Sequence, residues 1–340
     1  MFELLDLDSP LDESQLIPIV QLEEGQIDPR YLRTSYSSSL DFHACPRKFQ
    51  LLKLQAERKE DLRAQITFAY GHAIGEGIQN YLIHRDLNKA IMAAFLAWEV
   101  DYDAVDEKRN KSMPKAVAAL MEFEGLCKLG MLDDYEVAYF KGKPAAELSF
   151  RIKFEYTTYR GFVDLVLRNK FTGEYLILEL KTSSANYINH LQYKNSAQAL
   201  GYSVILDKIA PGTSSYSVLY LVELTKLGRF EPFEFPKTAH QRALWIKDRL
   251  WDEQVLVGMV QTFGNYGIWP THGESCTQFG SVCPFMDMCH LTTEHQMTPL
   301  RENHLTEDTE YDFEFTVSEL LEQSESACSG EPQESAFEHL

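Results

Sequence analysis

Asp164, Glu179 and Lys181 are charged residues set into "GFVDLVLRNKFTGEYLILELKTS", a stretch that otherwise reads as two apolar strands joined by a turn. An unpaired charge inside such a sheet is costly or shifts its pKa, so the three must be paired, bound to a cation or open to a cleft. Residues two apart on a strand share a face, so Glu179 and Lys181 point the same way. Asp164 lies on the preceding strand, and Glu147 sits in an upstream candidate strand, "AAELSFRI". Three carboxylates meeting at a sheet edge suit a hard divalent cation, Mg²⁺ or Mn²⁺. A lysine beside them, placed to position or deprotonate water, suits the hydrolysis of a phosphodiester. For an isolated Glu-x-Lys, a structural ion pair with Asp164 capping a turn is the simpler account. The order of the motif favours the site: Glu147, then Gly-x-x-Asp, then Glu-Leu-Lys, then a helix carrying Gln198 and Tyr202 four residues apart on one face.

The elements that must hold these residues are legible in outline. Residues 31–135 read as mostly helical, with helices from about Asp41, across "AQITFAYGHAIGEGIQNYLIHRD", across "LNKAIMAAFLAWEVDYDA" and from about Pro114 to Gly130. The period then changes to three strands, a helix, two strands and a long helix from about Thr238 to Phe263, a core spanning 136–265. That order predicts an α/β fold, a mixed sheet flanked by helices and preceded by a helical segment. Residues 266–295 are irregular and rich in Gly, Pro and Cys. No internal repeat and no phosphate-binding G-x-x-x-x-G-K loop occurs, so no ATPase motor is expected.

The formal net charge of −19 argues at first against a nucleic-acid partner. Yet residues 1–30 hold eight acids and one base, and residues 301–340 hold twelve acids and one base, which leaves the middle nearly neutral. Both ends read as acidic segments, the second as a disordered, solubilising tail. A short helix around Val317 to Gln323 could dock a partner. No apolar run has membrane-spanning length, and the N-terminus lacks a signal-peptide pattern, so a cytoplasmic protein with no membrane contact is expected.

At the level of motifs, "RGFVDLVL", "YLILELKTSS" and "NSAQALGYSVIL" resemble the PD-(D/E)XK nuclease superfamily in its RecB-like branch, over roughly Ser35 to His290. That branch includes CRISPR-adaptation exonucleases, AddB-type subunits and phage exonucleases. The resemblance implies a restriction-endonuclease-like fold and a Mg²⁺- or Mn²⁺-dependent deoxyribonuclease. An exonuclease on single-stranded or resected DNA ends, in phage or bacterial recombination, is the activity implied. Carried over, Asp164 and Glu179 bind the metal, Lys181 is the catalytic lysine, Gln198 and Tyr202 fill a Q-x-x-x-Y position, and Glu147 matches the upstream acid. One departure stands out. The branch carries a metal-binding His as G-x-x-x-H, and here Gly71 is followed by Gly75 at that position. His72 and Glu76 are the candidate substitutes. If neither reaches the site, a non-catalytic DNA-end-binding or scaffold subunit becomes the alternative. A helicase, recombinase or other partner could join through the acidic tail.

Of six cysteines, Cys276, Cys283 and Cys289 lie within fourteen residues, a metal-site pattern in a reducing compartment. A fourth ligand is needed, and Cys45, followed by proline as Cys283 is, is the candidate. The resemblance implies a four-iron–four-sulfur cluster on these four, stapling the segments that flank the core. Zn²⁺ fits the same spacing, with His290 able to replace a cysteine. Cys127, inside a helical pattern, reads as a core residue.

Overall fold

The computed structural model describes residues 26–54, 62–98, 110–211, 215–278, 281–291 and 311–329. The chain opens with strand β1 (Arg33–Thr34) and helices α1 (Tyr36–Ala44), α2 (Pro46–Lys53), α3 (Leu62–His84), α4 (Leu87–Leu96) and α5 (Met113–Lys128). Short strands β2 (Tyr135–Val137), β3 (Tyr139–Phe140) and β4 (Lys143–Pro144) lead into the long ones: β5 (Ala146–Lys153), β6 (Thr158–Asn169) and β7 (Tyr175–Ser183). Then come α6 (Leu191–Lys194), α7 (Ala197–Ile209), β8 (Ser215–Leu224), β9 (Arg229–Thr238) and α8 (Ala239–Phe263). The cysteine-rich segment holds β10 (Thr277–Gln278) and β11 (Ser281–Val282), and the chain's last described elements are β12 (Phe313–Thr316) and α9 (Val317–Ser329).

The main sheet runs β12-β5-β6-β7-β8-β9, with β1 and β2 also pairing with β6. β5, β6 and β7 form an antiparallel meander, β7 and β8 are parallel across the α7 crossover, and β8 and β9 are antiparallel. The mixed α/β sheet flanked by helices is therefore the expected one. Helix starts are locally encoded. Ser35 and Thr238 each make a reciprocal capping box, with Ser38 and Gln241, and Ser196 caps α7 by accepting from Ala199 N–H.

Two apolar clusters sandwich the sheet. One joins α3, α4 and α5 to Leu165, Leu167, Leu176, Leu178 and Leu221; Cys127 is buried in it, as expected of a core thiol. The other joins α7 and α8 to Phe150, Tyr159, Val163, Ile177, Tyr220 and Val222. The helical segment thus shares its core with the sheet, and residue 135 marks no seam in the packing. α7 approaches α8 closely at Gly201, where a Cβ would lie 2.8 Å from the Trp245 ring.

One expectation needs correction. Within the acidic C-terminal stretch, residues 311–329 are not a tail: β12 pairs in parallel with the outer edge of β5, and α9 packs on α8 and α7. Phe313, Phe315, Val317 and Leu321 pack against the second cluster, and Leu320 is buried in it. Apolar residues every second position along β12 and at helical spacing in α9 give the segment a face to bury, which overrides its net charge. The acidic stretch 1–25, residues 301–310 and residues 330–340 lie outside the described residues. No helix among the described residues is long and apolar enough to cross a membrane.

Candidate active site

The antiparallel register of β6 and β7 sets Leu165 opposite Leu178, so Asp164 and Glu179 fall at neighbouring positions on the face that looks toward α7. Their carboxyls are close enough to hydrogen-bond, and Asp164 Oδ2 also accepts from the Leu180 backbone N–H at 3.0 Å. Glu179 is fully buried, at 0% exposure. Lys181 Nζ lies 2.5 Å from Glu179 Oε1, yet neither Glu179 oxygen receives a well-aligned hydrogen bond. Proximity without alignment describes an ion pair whose acid still has coordination to offer.

The electrostatics follow from this crowding. Burial first, and then the charge of Asp164, pushes the Glu179 carboxyl up to about 8. Burial likewise raises Asp164, against the pull of Lys181. Burial alone would lower Lys181, but the attraction of Glu179 and Asp164 outweighs it and carries the ammonium upward. Two carboxylates that resist sharing one pocket are relieved by positive charge, which the Lys181 ammonium supplies here and which a divalent cation bound to the pair would supply further.

α7 supplies the next layer. Lys181 Nζ donates to Gln198 Oε1 at 3.1 Å, and Gln198 Nε2 donates to the Tyr202 hydroxyl at 2.6 Å. The Ser196 cap starts α7 so that these two residues face β7. The chain Tyr202–Gln198–Lys181–Glu179 is continuous, and it fixes where the ammonium points.

Glu147 reaches the same edge by a different route. Its backbone is left-handed, with φ 47°, uncommon for a residue with a side chain. The β5–β6 ladder pairs Ala146 with Leu165 and Leu148 with Val163, leaving Glu147 between them. The residue as a whole is exposed, while its carboxyl is enclosed enough for burial to raise its pKa, with Asp164 and Glu76 raising it further. Glu147 Oε1 accepts from Gln79 Nε2 of α3 at 2.8 Å.

The sequence reading overlooked Gln79. It lies three residues past Glu76 and seven past His72, on the helical face already in view. His72 Nε2 and Glu76 Oε1 are 3.9 Å apart, and both side chains are partly exposed. Both act on Glu147 electrostatically, so α3 presents them beside the acid set. A Cβ at Gly75 would meet nothing within 4 Å, so the position without its histidine opens onto free space.

Cys45, Cys276, Cys283 and Cys289 all line one pocket, together with Leu51, His272, Phe285 and Met286. Fold and backbone hold its walls: Cys283 N–H donates to the Cys276 carbonyl at 2.8 Å, and Arg47 Nε donates to the Cys289 carbonyl at 3.0 Å. Among the described residues, however, no three His, Cys, Asp or Glu side chains stand in a metal-holding arrangement, either here or at the sheet edge.

A mixed sheet flanked by helices, with an acid pair and a lysine two residues on at one edge and a helix-borne Gln–Tyr pair beside them, defines the class: an α/β fold of the restriction-endonuclease-like type. The family described as the PD-(D/E)XK nuclease superfamily matches residues 33–290, and the chain belongs to that superfamily. No curated protein matches the chain. Among solved structures, the crystal structure of SSO0001 aligns with 77% of this chain and 100% of its own at 13% identity and a TM-score of 0.28, too weak a likeness to bear on function.

Proposed function

We propose that the protein is a Mg²⁺- or Mn²⁺-dependent deoxyribonuclease that hydrolyses phosphodiesters at single-stranded or free DNA ends, in a cytoplasmic bacterial or phage setting of recombination or repair. The observation that carries this is the buried Glu179 beside Asp164, with Lys181 at 2.5 Å and both Glu179 oxygens lacking aligned donors. Asp164 and Glu179 would hold the cation, with Glu147, Glu76 or His72 as further donors. When bound, the metal supplies charge neutralisation for the attacked phosphate. Lys181 orients water at the edge. Gln198 holds the ammonium, and Tyr202 holds Gln198. The resemblance to RecB-like enzymes supports the end preference.

The four pocket-lining cysteines support a second element of the reading, a four-iron–four-sulfur cluster that joins α2 to the segment after α8. Zn²⁺ is the competing occupant. Anaerobic purification with a visible spectrum separates them: iron–sulfur absorbs broadly near about 400 nm and zinc does not. Cys283→Ser is expected to lose that absorption and to lower the melting temperature. On the same sample, a labelled single strand incubated with Mn²⁺ tests the nuclease. No cleavage with any divalent metal would favour the non-catalytic DNA-end-binding subunit.

A further inference from the structure

Among the described residues, the outer half of the β5–β6 ladder carries an uncovered cationic face on the side of the sheet away from α7; it runs up to Glu147 and Asp164, where the alternation switches sides, since Leu148 and Val163 pack toward α7 and α8 but Ala146 and Leu165 toward α3 and α5. Its register sets Ser149 opposite Phe162, Arg151 opposite Arg160 and Lys153 opposite Thr158, all on one side of the sheet. The other side of these strands, Phe150, Ile152, Tyr159 and Val163, is buried core. Gly161 permits this: a Cβ there would lie 2.7 Å from Phe150 Cζ, so its absence lets the core close beneath and leaves Phe162 facing outward, 48% exposed. On the far side of β6, β1 pairs Arg33 with Thr158, which brings a further cation to the same face.

The two halves of this face differ in one respect. Arg151 and Lys153 on β5 are both engaged by Glu314 of β12, at 2.6 and 3.2 Å. Among the described residues, Arg33, Lys53 and Arg160 have no carboxylate within ion-pair distance. Lys53 ends α2, and its ammonium donates to the Arg33 carbonyl. Burial first, then Arg160 and Arg33, draws Lys53 down to about 8; Asp41, which pulls the other way, is already paired with Lys48 at 2.7 Å. Three mutually repelling cations, Arg160 exposed and Arg33 and Lys53 part-buried, on a nearly neutral body call for an anion. Phe162 lies between them and Asp164. Cationic grooves interleaved with an exposed aromatic are how single strands are held without sequence preference.

We propose that this face is a track for single-stranded nucleic acid, with phosphates on Arg160, Arg33 and Lys53 and a base stacked on Phe162, leading to Asp164. It rests on the nuclease reading for its direction but not for its affinity. Arg160 and Asp164 are four residues apart on one strand, about 13 Å at ~3.3 Å per residue, so the track orders the nucleotides next to the reacting phosphate.

The test uses the full chain, a fluorescein-labelled 20-mer oligothymidylate and its duplex, and metal-free buffer so that nothing is cut. Phe162→Ala is expected to weaken single-strand binding about tenfold and Phe162→Trp to restore it, with unchanged melting temperature. Arg160→Gln is expected to weaken binding and to flatten the salt dependence by about one phosphate contact, roughly 0.7 in log–log slope. Lys226→Gln, an exposed lysine elsewhere, should do neither. Equal affinity in Phe162→Ala and wild type, or an Arg160→Gln effect no larger than that of Lys226→Gln, overturns the track. Binding that falls as expected in a protein that cuts nothing overturns the nuclease reading and keeps the track. Unchanged binding in variants of a protein that does cut overturns the track alone.

Discussion

Two glutamates sit on adjacent parallel strands, three residues apart in register, and both are almost wholly buried. Glu179 on β7 faces α7; Glu223 on β8, paired in register with Thr182, faces α3. Glu223 is 2% exposed and accepts a 2.8 Å hydrogen bond from the Tyr70 hydroxyl, itself fully buried. Burial raises its carboxyl to about 7 despite the Tyr70 bond and the pull of Lys111 and Lys115. Glu179 is equally buried but has a second carboxylate against it, an ammonium at 2.5 Å and no aligned donor. Burial of an acid is therefore not what marks the site. Glu223 has one oxygen bonded to a neutral donor that ties α3 to the sheet and its Oε2 unpartnered, whereas Glu179 has neither oxygen bonded and is flanked instead by charges, the Asp164 carboxyl and the Lys181 ammonium.

The sharpest way to break this contrast is Glu179→Gln. It should remove metal-dependent cleavage, a loss of 100-fold or more on the order seen when an essential charged group is deleted. It should not lower the melting temperature at pH 8, because the amide no longer competes with Asp164 for the proton. An active Glu179→Gln enzyme would erase the distinction between the two residues.

Next in size is Glu223→Gln, read through pH. The folded carboxyl is raised to about 7 from 4.5, so the folded state holds its proton more tightly than the unfolded chain. Stability contributed by the protonated form is complete below about 4.5 and is lost as pH rises through about 7, about 3 kcal/mol in all. Glu223→Gln should flatten that decline, raise stability at pH 8 and leave cleavage unchanged. A pH–stability curve identical to wild type would show that Glu223 is not the group responsible.

The smallest expected effect is that of Tyr70→Phe, which removes the donor to Glu223 and leaves a buried acid with less support. A loss of roughly 1–2 kcal/mol in denaturant unfolding is expected, with cleavage at near wild-type rate. A large loss of cleavage would mean that the α3 contact is part of the catalytic edge.

Much of the geometry of the candidate site was legible in the sequence because it depends on period alone. Strand alternation puts Glu179 and Lys181 together, and a four-residue helical step puts Gln198 with Tyr202. The Glu147 position was legible as a residue but not as a conformation, since φ 47° at a glutamate leaves no mark in composition. Gln79 and the Tyr70–Glu223 bond were missed because each joins elements more than sixty residues apart, and Gln and Tyr on a helix face look like ordinary surface and core. The helix from Val317 was legible, but the strand before it and the packing of both on the core were missed for a different reason. Net charge dominated that reading, while Phe313, Phe315, Val317, Leu320 and Leu321 carried the packing signal within it.

The most direct measurement is divalent-metal cleavage of a labelled single strand by Lys181→Ala beside wild type and Glu223→Gln, with folding checked by thermal melting. The account predicts cleavage by wild type and Glu223→Gln and none detectable by Lys181→Ala, all three folded. Undiminished Mg²⁺- or Mn²⁺-dependent cleavage by folded Lys181→Ala would contradict it.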